Sequence, residues 1–257
     1  MTATHVPMKI SAGTRARGAE VDTSCHANRV RDNGLVVLTG AAGALGHAVV
    51  AEFVGAGREV VALDRAGERL DRLGEKPGVH AVAADLADRE SVVRAWLDVD
   101  EIGTPSALVT LAGGFRPSSL ADLTEELWDA MWRSNVASLL WSAQQAAPRL
   151  AAGGGGAIVT VGSKTAVSGA APVAHATSKA AVVRLTELLA EELRPQGVRV
   201  NCVLPSVIDT PANREWMSPQ LAARAVAPAA IARVIAFLAG PDSAPTSGAR
   251  VPVYGDA

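Results

Sequence analysis

The chain contains little cysteine. Its two cysteines, Cys25 and Cys202, are far apart in a sequence of 257 residues and match no metal-binding spacing, so we expect no metal site. Cys202 lies within an apolar strand pattern, which indicates a buried thiol. So few cysteines suit a reducing compartment, and the sequence therefore favours a cytoplasmic protein.

Long apolar runs and a strong excess of charge are also absent. The apolar stretches are too short, or too interrupted by glycine, proline and charged residues, to span a bilayer. The formal net charge is −2 and no basic face is evident, so neither nucleic acid nor a membrane is an expected partner. The hydrophobic fraction of 49% is nevertheless ample for a core, and the length suits one large domain or two small ones.

The first residues differ from the rest of the chain. Residues 1–34 mix small, polar and charged residues without a sustained period, and they lack the apolar stretch of a secretory signal. We expect a disordered N-terminal extension here, followed by one folded domain over residues 35–257.

A glycine-rich stretch opens that domain. Residues 35–38 form a short apolar run, typical of a strand buried in a parallel sheet, and a helical pattern extends from about residue 44 to 56. Gly40, Gly43 and Gly46 lie at the turn between them. Glycine lets a pyrophosphate approach the backbone, and a helix N-terminus offers free N–H groups and partial positive charge. Such a fingerprint alone is a weak signal, because glycines also serve as plain turn residues.

Strands and helices alternate along the remaining chain. Further short strands are predicted at residues 59–63, 79–83, 107–111, 157–161, 198–204 and 251–254. Helices are predicted at residues 88–98, 124–147, 174–194 and 227–239, and residues 212–224 are predicted to form a polar, aperiodic lid. The alternation predicts a single-domain α/β fold, a Rossmann-like, doubly wound, seven-stranded parallel sheet with helices on both faces.

Polar and small residues stand where the predicted strands end, namely Gly40, Asp64, Asp85, Gly113, Ser163 and Thr210. Ligands bind at the carboxyl ends of such strands, so this convergence predicts a binding site. An acidic residue about 20 positions past a glycine turn binds ribose hydroxyls and repels a 2′-phosphate, so Asp64 favours NAD(H), with NADP(H) as the second choice. Arg65 softens that preference, and a plain helix N-cap is the alternative role for Asp64.

These motifs together resemble the short-chain dehydrogenase/reductase family over residues 35–257. The resemblance rests on Thr39-Gly40-x-x-Gly43-x-x-Gly46, Asp85-Leu86, Ala112-Gly113, Asn135, Ser163, Lys179, Val198-x-Val200-Asn201 and Pro205-x-x-Ile208-x-Thr210. Within the family the chain is similar to the dihydropteridine reductase branch, through Gly-Ala-Leu-Gly at 43–46 and Ala-Gly-Gly at 112–114.

The resemblance implies an NAD(P)-binding Rossmann domain and assigns roles to matching residues. Lys179 would bind the nicotinamide ribose, Ser163 would hydrogen-bond the substrate carbonyl, and Asn135 would support a water relay to Lys179. The implied cofactor-binding residues are Gly40, Ala42, Gly43, Ala44, Leu45, Gly46, Asp64, Arg65, Asp85, Leu86, Ala112, Gly113, Gly114, Lys179, Pro205, Ile208 and Thr210.

The position of the family's catalytic acid departs from the pattern. The family has a tyrosine one helical turn before the lysine, whereas this chain has His175 there and its single tyrosine is Tyr254, near the C-terminus. Imidazole has an unperturbed pKa near ~6.5, and Lys179 one turn away lowers it, so His175 is expected to be largely neutral at neutral pH. It would act as a general acid at mildly acidic pH, or as a base for a different proton transfer.

Three functions stay open. The first is an NAD(P)(H)-dependent oxidoreductase acting on a carbonyl, alcohol or C=N group of a small molecule, with Asn135, Ser163, His175 and Lys179 as catalytic residues. The second is a non-redox dehydratase, isomerase or cyclase on the same fold, with His175 as base. The third is a redox-dead dinucleotide-binding or regulatory protein. The retained Asn135, Ser163 and Lys179 favour an enzyme.

The sequence does not identify the substrate. The residues expected to line or cover its pocket are Phe115, Arg116, Val167, Asn213, Arg214, Trp216 and Met217. By resemblance, the two long predicted helices at 124–147 and 174–194 favour a homodimer or homotetramer.

Overall fold

The computed structural model describes residues 34–256, so the predicted N-terminal extension lies outside the described residues except for Gly34. Seven parallel strands form one sheet in the order β3-β2-β1-β4-β5-β6-β7. The strands are β1 Leu35–Thr39, β2 Val60–Asp64, β3 Val79–Ala83, β4 Pro105–Thr110, β5 Gly156–Val161, β6 Val198–Pro205 and β7 Arg250–Val253. The predicted single-domain, seven-stranded parallel sheet is confirmed.

Helices connect the strands and cover both faces of the sheet. They are α1 Ala44–Gly55, α2 Glu68–Gly74, α3 Arg89–Ile102, α4 Glu125–Trp132, α5 Ser138–Ala152, α6 Val173–Leu193, α7 Pro211–Arg214, α8 Pro219–Ala222 and α9 Pro228–Ala239. Among residues 34–256, no helix combines the length and the apolar character needed to cross a membrane.

Two cores sandwich the sheet. On one face, α1 and α9 pack against the sheet through a buried cluster that includes Phe53 and Ile235. On the other face, α3, α5 and the C-terminal part of α6 enclose Trp96, Leu150 and Leu193. Because β1, β2, β4 and β5 bury side chains on both faces, their sequences are largely apolar runs rather than alternating patterns, whereas the edge strands β3 and β7 keep exposed residues.

The long helix predicted at residues 124–147 is interrupted. The α-helical pattern stops at Trp132, a π-helix spans Arg133–Ala137, and α5 then continues to Ala152. Asn135 lies at the centre of the π-helix and is 1% exposed. Wide turns of this kind occur mainly at functional sites, because they re-aim a side chain that a regular helix would direct elsewhere.

Two further predictions need correction. The short helix α2 was not predicted, and the segment predicted as an aperiodic lid contains α7 and α8. Each of these two helices begins with a hydroxyl N-cap followed directly by proline, Thr210 before α7 and Ser218 before α8. That pairing pre-organises the first turn and is visible in the sequence.

The order of the strands fixes where a ligand can bind. The chain proceeds from β1 outward to β3, then crosses back to place β4 on the other side of β1. The connections after β1 and β4 therefore leave in opposite directions, and a crevice opens between them at the carboxyl ends of the strands.

Candidate active site

The glycine turn between β1 and α1 excludes side chains. Gly40 has φ +71°, and a Cβ atom there would lie 2.5 Å from the backbone nitrogen of Ala112 on the neighbouring strand connection. A Cβ at Gly46 would collide with the carbonyl oxygen of Ala41. The N-cap of α1 is Gly43, no side chain caps the helix, and its first turn carries no acidic residue. The N–H groups at this helix end are therefore available to an anion.

A cavity of about 810 Å³ opens at this edge of the sheet. Its lining includes ten of the predicted cofactor-binding residues, namely Gly40, Ala42, Gly43, Asp64, Arg65, Asp85, Leu86, Ala112, Gly113 and Gly114. They come from the ends of four strands, and they were predicted separately from their positions in the sequence. The remaining predicted cofactor residues do not line this cavity.

Asp64 faces the glycine turn. Its Oδ2 accepts a hydrogen bond of 2.9 Å from the backbone N–H of Ala42, and its Oδ1 accepts one of 2.8 Å from the N–H of Arg65. Two N–H donors thus fix the carboxylate beside the cavity. This contact does not make Asp64 an N-cap, because the N-cap of α2 is Gly67.

Hydrogen bonds connect Gly114, which lines the cavity, to the buried side chain of Asn135. The Oδ1 atom of Asn135 accepts a 2.9 Å hydrogen bond from the N–H of Gly114, and its Nδ2 donates to the Gly114 carbonyl at 3.2 Å and to Ser178 Oγ at 2.9 Å. Ser178 Oγ in turn donates to the carbonyl oxygen of His175 at 2.9 Å. Asn135 in the π-helix is therefore hydrogen-bonded both to the loop after β4 and to the first turns of α6.

His175 is nearly buried, and Gly114 binds its ring. The Nδ1 atom lies 3.3 Å from the carbonyl oxygen of Gly114, and the ring meets Phe115 edge to face with 5.0 Å between centroids. A carbonyl oxygen can only accept, so Nδ1 carries the hydrogen in this contact and neutral imidazole keeps its lone pair on Nε2. Burial, and secondarily the charge of Lys179, lower the pKa of His175 from its ordinary value of 6.5.

Lys179 lies on the same side of α6, one turn further along. Its Nζ donates a 2.8 Å hydrogen bond to the carbonyl oxygen of Val161, and a Cβ atom at Gly113 would lie 3.3 Å from it. Burial lowers the pKa of Lys179 to about 8. The ammonium group therefore sits beside the cavity lining and is protonated at neutral pH.

Ser163 is held at the end of β5. It is the N-cap of a 3₁₀ turn, Lys164–Ala166, and its Oγ accepts from the N–H of Thr165 at 3.2 Å. The hydroxyls of Ser163 and Thr165 are 2.8 Å apart. The 3₁₀ turn packs against α6, which carries His175 and Lys179.

Local side-chain hydrogen bonds stabilise the segment that follows β6. Thr210 Oγ1 accepts from the N–H of Asn213 at 3.2 Å, and Asn213 Nδ2 donates to the carbonyl oxygen of Ile208 at 2.8 Å. Arg214 forms a bidentate ion pair with Asp209. This order is local, and the predicted contact of Pro205, Ile208 and Thr210 with a nicotinamide stays a prediction.

Three predicted residues form the first turn of α1, where Gly46 allows close packing. Ala44, Leu45 and Gly46 do not line the cavity, and their predicted contact with a cofactor stays a prediction. Sequence reasoning missed the contributions of Ser178 and Thr165. Ser178 directly precedes Lys179, and Thr165 is two residues after Ser163, so their proximity to predicted residues was the available signal.

Comparisons with known proteins give a consistent result. A family model described as short chain dehydrogenase matches residues 34–221. The D-xylose 1-dehydrogenase of Caulobacter vibrioides is 32% identical over 229 residues, which cover 83% of this chain and 91% of that protein. The L-xylulose reductase of Bos taurus is 32% identical over 232 residues, which cover 85% and 94%.

A solved structure shares the architecture. The NADPH-bound short-chain oxidoreductase of Pseudomonas aeruginosa PAO1 is 30% identical, with a TM-score of 0.78, and the match covers 86% of this chain and 95% of that one. It is described as containing an atypical catalytic center.

Proposed function

This chain belongs to the short-chain dehydrogenase family and is an NAD(P)-dependent oxidoreductase of a small molecule, and we propose that it oxidises an alcohol with NAD⁺, with His175 as the base. The observation that carries the proposal is the contact of His175 Nδ1 with the Gly114 carbonyl. It leaves Nε2 of the neutral ring as a proton acceptor. The names of the two curated relatives, a sugar dehydrogenase and a sugar reductase, support an alcohol and carbonyl pair as the reacting groups.

The residues of the cavity fit a dinucleotide. The glycine turn is a cradle that a Cβ atom at Gly40 or Gly46 would fill, and the uncapped N-terminus of α1 suits a pyrophosphate. The carboxylate of Asp64, which the N–H groups of Ala42 and Arg65 already orient, suits ribose hydroxyls and repels a 2′-phosphate. These features support NAD(H) as the preferred cofactor.

The proton transfer follows from the state of His175. NAD⁺, when bound, supplies the acceptor for the hydride that leaves the carbinol carbon. His175 Nε2 takes the hydroxyl proton, which the lowered pKa of the ring permits at neutral pH because the ring is then unprotonated. The reverse reaction needs a protonated Nε2, so carbonyl reduction is favoured only on the acid side.

The neighbouring residues would hold the reacting groups. Ser163 donates its hydroxyl hydrogen to the substrate oxygen, which stabilises the alkoxide character that develops as the proton leaves. Lys179 places a positive charge beside Gly113, and this charge adds to burial in lowering the pKa of His175. Asn135 positions Gly114 and thereby the acceptor that sets the tautomer of His175.

The experiment is a titration of the purified protein with NADH and NADPH, followed by quenching of tryptophan fluorescence. We expect micromolar binding of NADH and weaker binding of NADPH. Asp64→Asn should weaken NADH binding about 10–100-fold, since charged hydrogen bonds contribute about 1.5–3 kcal/mol. Asp98→Asn, the same change on the exposed face of α3, should bind like the wild type. A protein that binds neither nucleotide would refute the proposal and favour a non-redox enzyme or a binding protein on the same fold.

Three finer predictions accompany this function. A homodimer or homotetramer, a cytoplasmic location and the dihydropteridine reductase branch all stay predictions. Sedimentation of the purified protein tests the first, and its mass should correspond to two or four chains.

A further inference from the structure

Large apolar side chains are exposed around the reacting end of the site. Phe115, Leu120, Val167, Val173 and Trp216 are between 39% and 75% exposed. They belong to the connections that follow β4, β5 and β6, which leave the same edge of the sheet. Isolated exposed apolar residues are ordinary, but several such residues on adjacent loops mark a binding surface.

In each of the three connections, an apolar side chain lies close to a predicted catalytic or cofactor-binding residue. The ring of Phe115 touches the His175 ring, and Val173 begins α6 two residues before His175. Val167 ends the 3₁₀ turn that Ser163 caps. The apolar surface is therefore adjacent to the proposed base and to the hydroxyl that would bind the substrate oxygen.

Trp216 belongs to the third connection. Its backbone N–H donates to the carbonyl oxygen of Asn213, the residue whose side chain binds the Ile208 carbonyl. The ring itself is exposed, although the backbone beneath it is hydrogen-bonded. The segment thus presents an aromatic surface on an ordered turn.

Three polar side chains of the same connections already have partners. Asn213 is bonded to the Ile208 carbonyl, Arg214 to Asp209, and Ser119 to Asp122. Hydroxyl groups of a polyol that pack against the apolar side chains would be left unpaired, and Asn213, Arg214 and Ser119 could bind them only by breaking their present bonds. An unpaired buried hydroxyl costs more than an apolar contact gains, so the surface discriminates against sugars.

We propose that the substrate is a secondary alcohol with an apolar body, aromatic or alicyclic, rather than a sugar or polyol such as those for which the curated relatives are named. This inference rests on the proposed function, because it concerns the same site. The carbinol meets His175 and Ser163, and the apolar body packs on Phe115 and Trp216.

The test compares two substrate series with NAD⁺ and the full-length protein. We would measure kcat/KM for 1-phenylethanol, 1-indanol and cyclohexanol against xylitol, galactitol and D-xylose, by the appearance of NADH. Binding of the matching ketones to the enzyme–NADH complex, measured by calorimetry, gives a second readout that does not depend on turnover. We expect the apolar series to be preferred by at least about tenfold in both measurements.

Substitutions test whether Phe115 and Trp216 cause the preference for apolar alcohols. Phe115→Ala and Trp216→Ala should each lower kcat/KM for the apolar series by about tenfold, and Trp216→Ala should leave NADH binding unchanged. Phe237→Ala is the matched control, because Phe237 is 51% exposed on α9 and is not part of these connections. Thermal unfolding of each variant confirms that it folds.

Three results would overturn the inference. They are preference for the polyol series, failure of the apolar series in both readouts, or an apolar preference that neither substitution reduces. Loss of self-association in Phe115→Ala and Trp216→Ala without a change in kcat/KM would instead make the surface a contact between copies. In all of these cases NADH binding persists, whereas loss of NADH binding would refute the proposed function itself.

Discussion

The substitution Gly113→Ala tests the link between the cavity and the buried network. The new Cβ atom would lie 2.6 Å from Asn135 Oδ1 and 3.3 Å from Lys179 Nζ. Asn135 cannot retreat cheaply, because it is buried and its amide makes three hydrogen bonds, to the N–H and carbonyl of Gly114 and to Ser178. Loss of two of these bonds lowers the free energy of unfolding by about 2–3 kcal/mol.

The assay is thermal unfolding with NADH titration of the same samples. A loss of that size lowers the Tm by roughly 4–12 °C in a chain of this length, and NADH binding should weaken because Gly113 lines the cavity. Gly114→Ala is the matched control for stability, since its Cβ would meet only the end of the Met131 side chain at 3.2 Å and the Ser134 hydroxyl at 3.3 Å. A Gly113→Ala protein with wild-type Tm and NADH affinity would refute the described packing.

Three further outcomes are expected. Thr165→Val should lower kcat severalfold with little change in KM, because Ser163 loses the hydroxyl that orients it, and Thr165→Ser should restore kcat. Gly46→Ala should weaken NADH binding at least tenfold, since its Cβ collides with the backbone of the turn, whereas Gly55→Ala at the end of the same helix meets no atom and should bind normally. Arg199→Met should lower the free energy of unfolding by about 2–4 kcal/mol in denaturant melts, because the guanidinium caps carbonyls at the end of α9, and kcat should stay unchanged.

The fold could be predicted from the sequence because burial determines where apolar residues occur along the chain. All seven strands were predicted close to their observed bounds. For the inner strands the reason is burial on both faces, which gives a short apolar run between turn residues. The break in the helix at residues 124–147 was not readable. Asn135 in the π-helix is hydrogen-bonded to Gly114, which is 21 positions away, and no local pattern encodes such a contact.

The site was readable in part. Residues at strand ends were predicted to converge, and those of the glycine turn, Asp64 and Asp85 do line one cavity. The tautomer of His175 was not predictable, because it depends on the carbonyl of Gly114, which is 61 positions away in the sequence. The exposure of Phe115 and Trp216, likewise, follows from how three loops pack and not from residue type.

The pH dependence of kcat/KM for alcohol oxidation shows whether His175 is the base. Burial and Lys179 lower the pKa of His175, and the base is the unprotonated ring, so oxidation should rise with pH through a midpoint below 6.5 and stay high at neutral pH. In His175→Tyr the rise should move to alkaline pH, because a phenol must lose a proton with a pKa near ~10 before it acts as a base. A wild-type profile that rises only in the alkaline range, or that is unchanged by His175→Tyr, would contradict the assignment of His175 as the base.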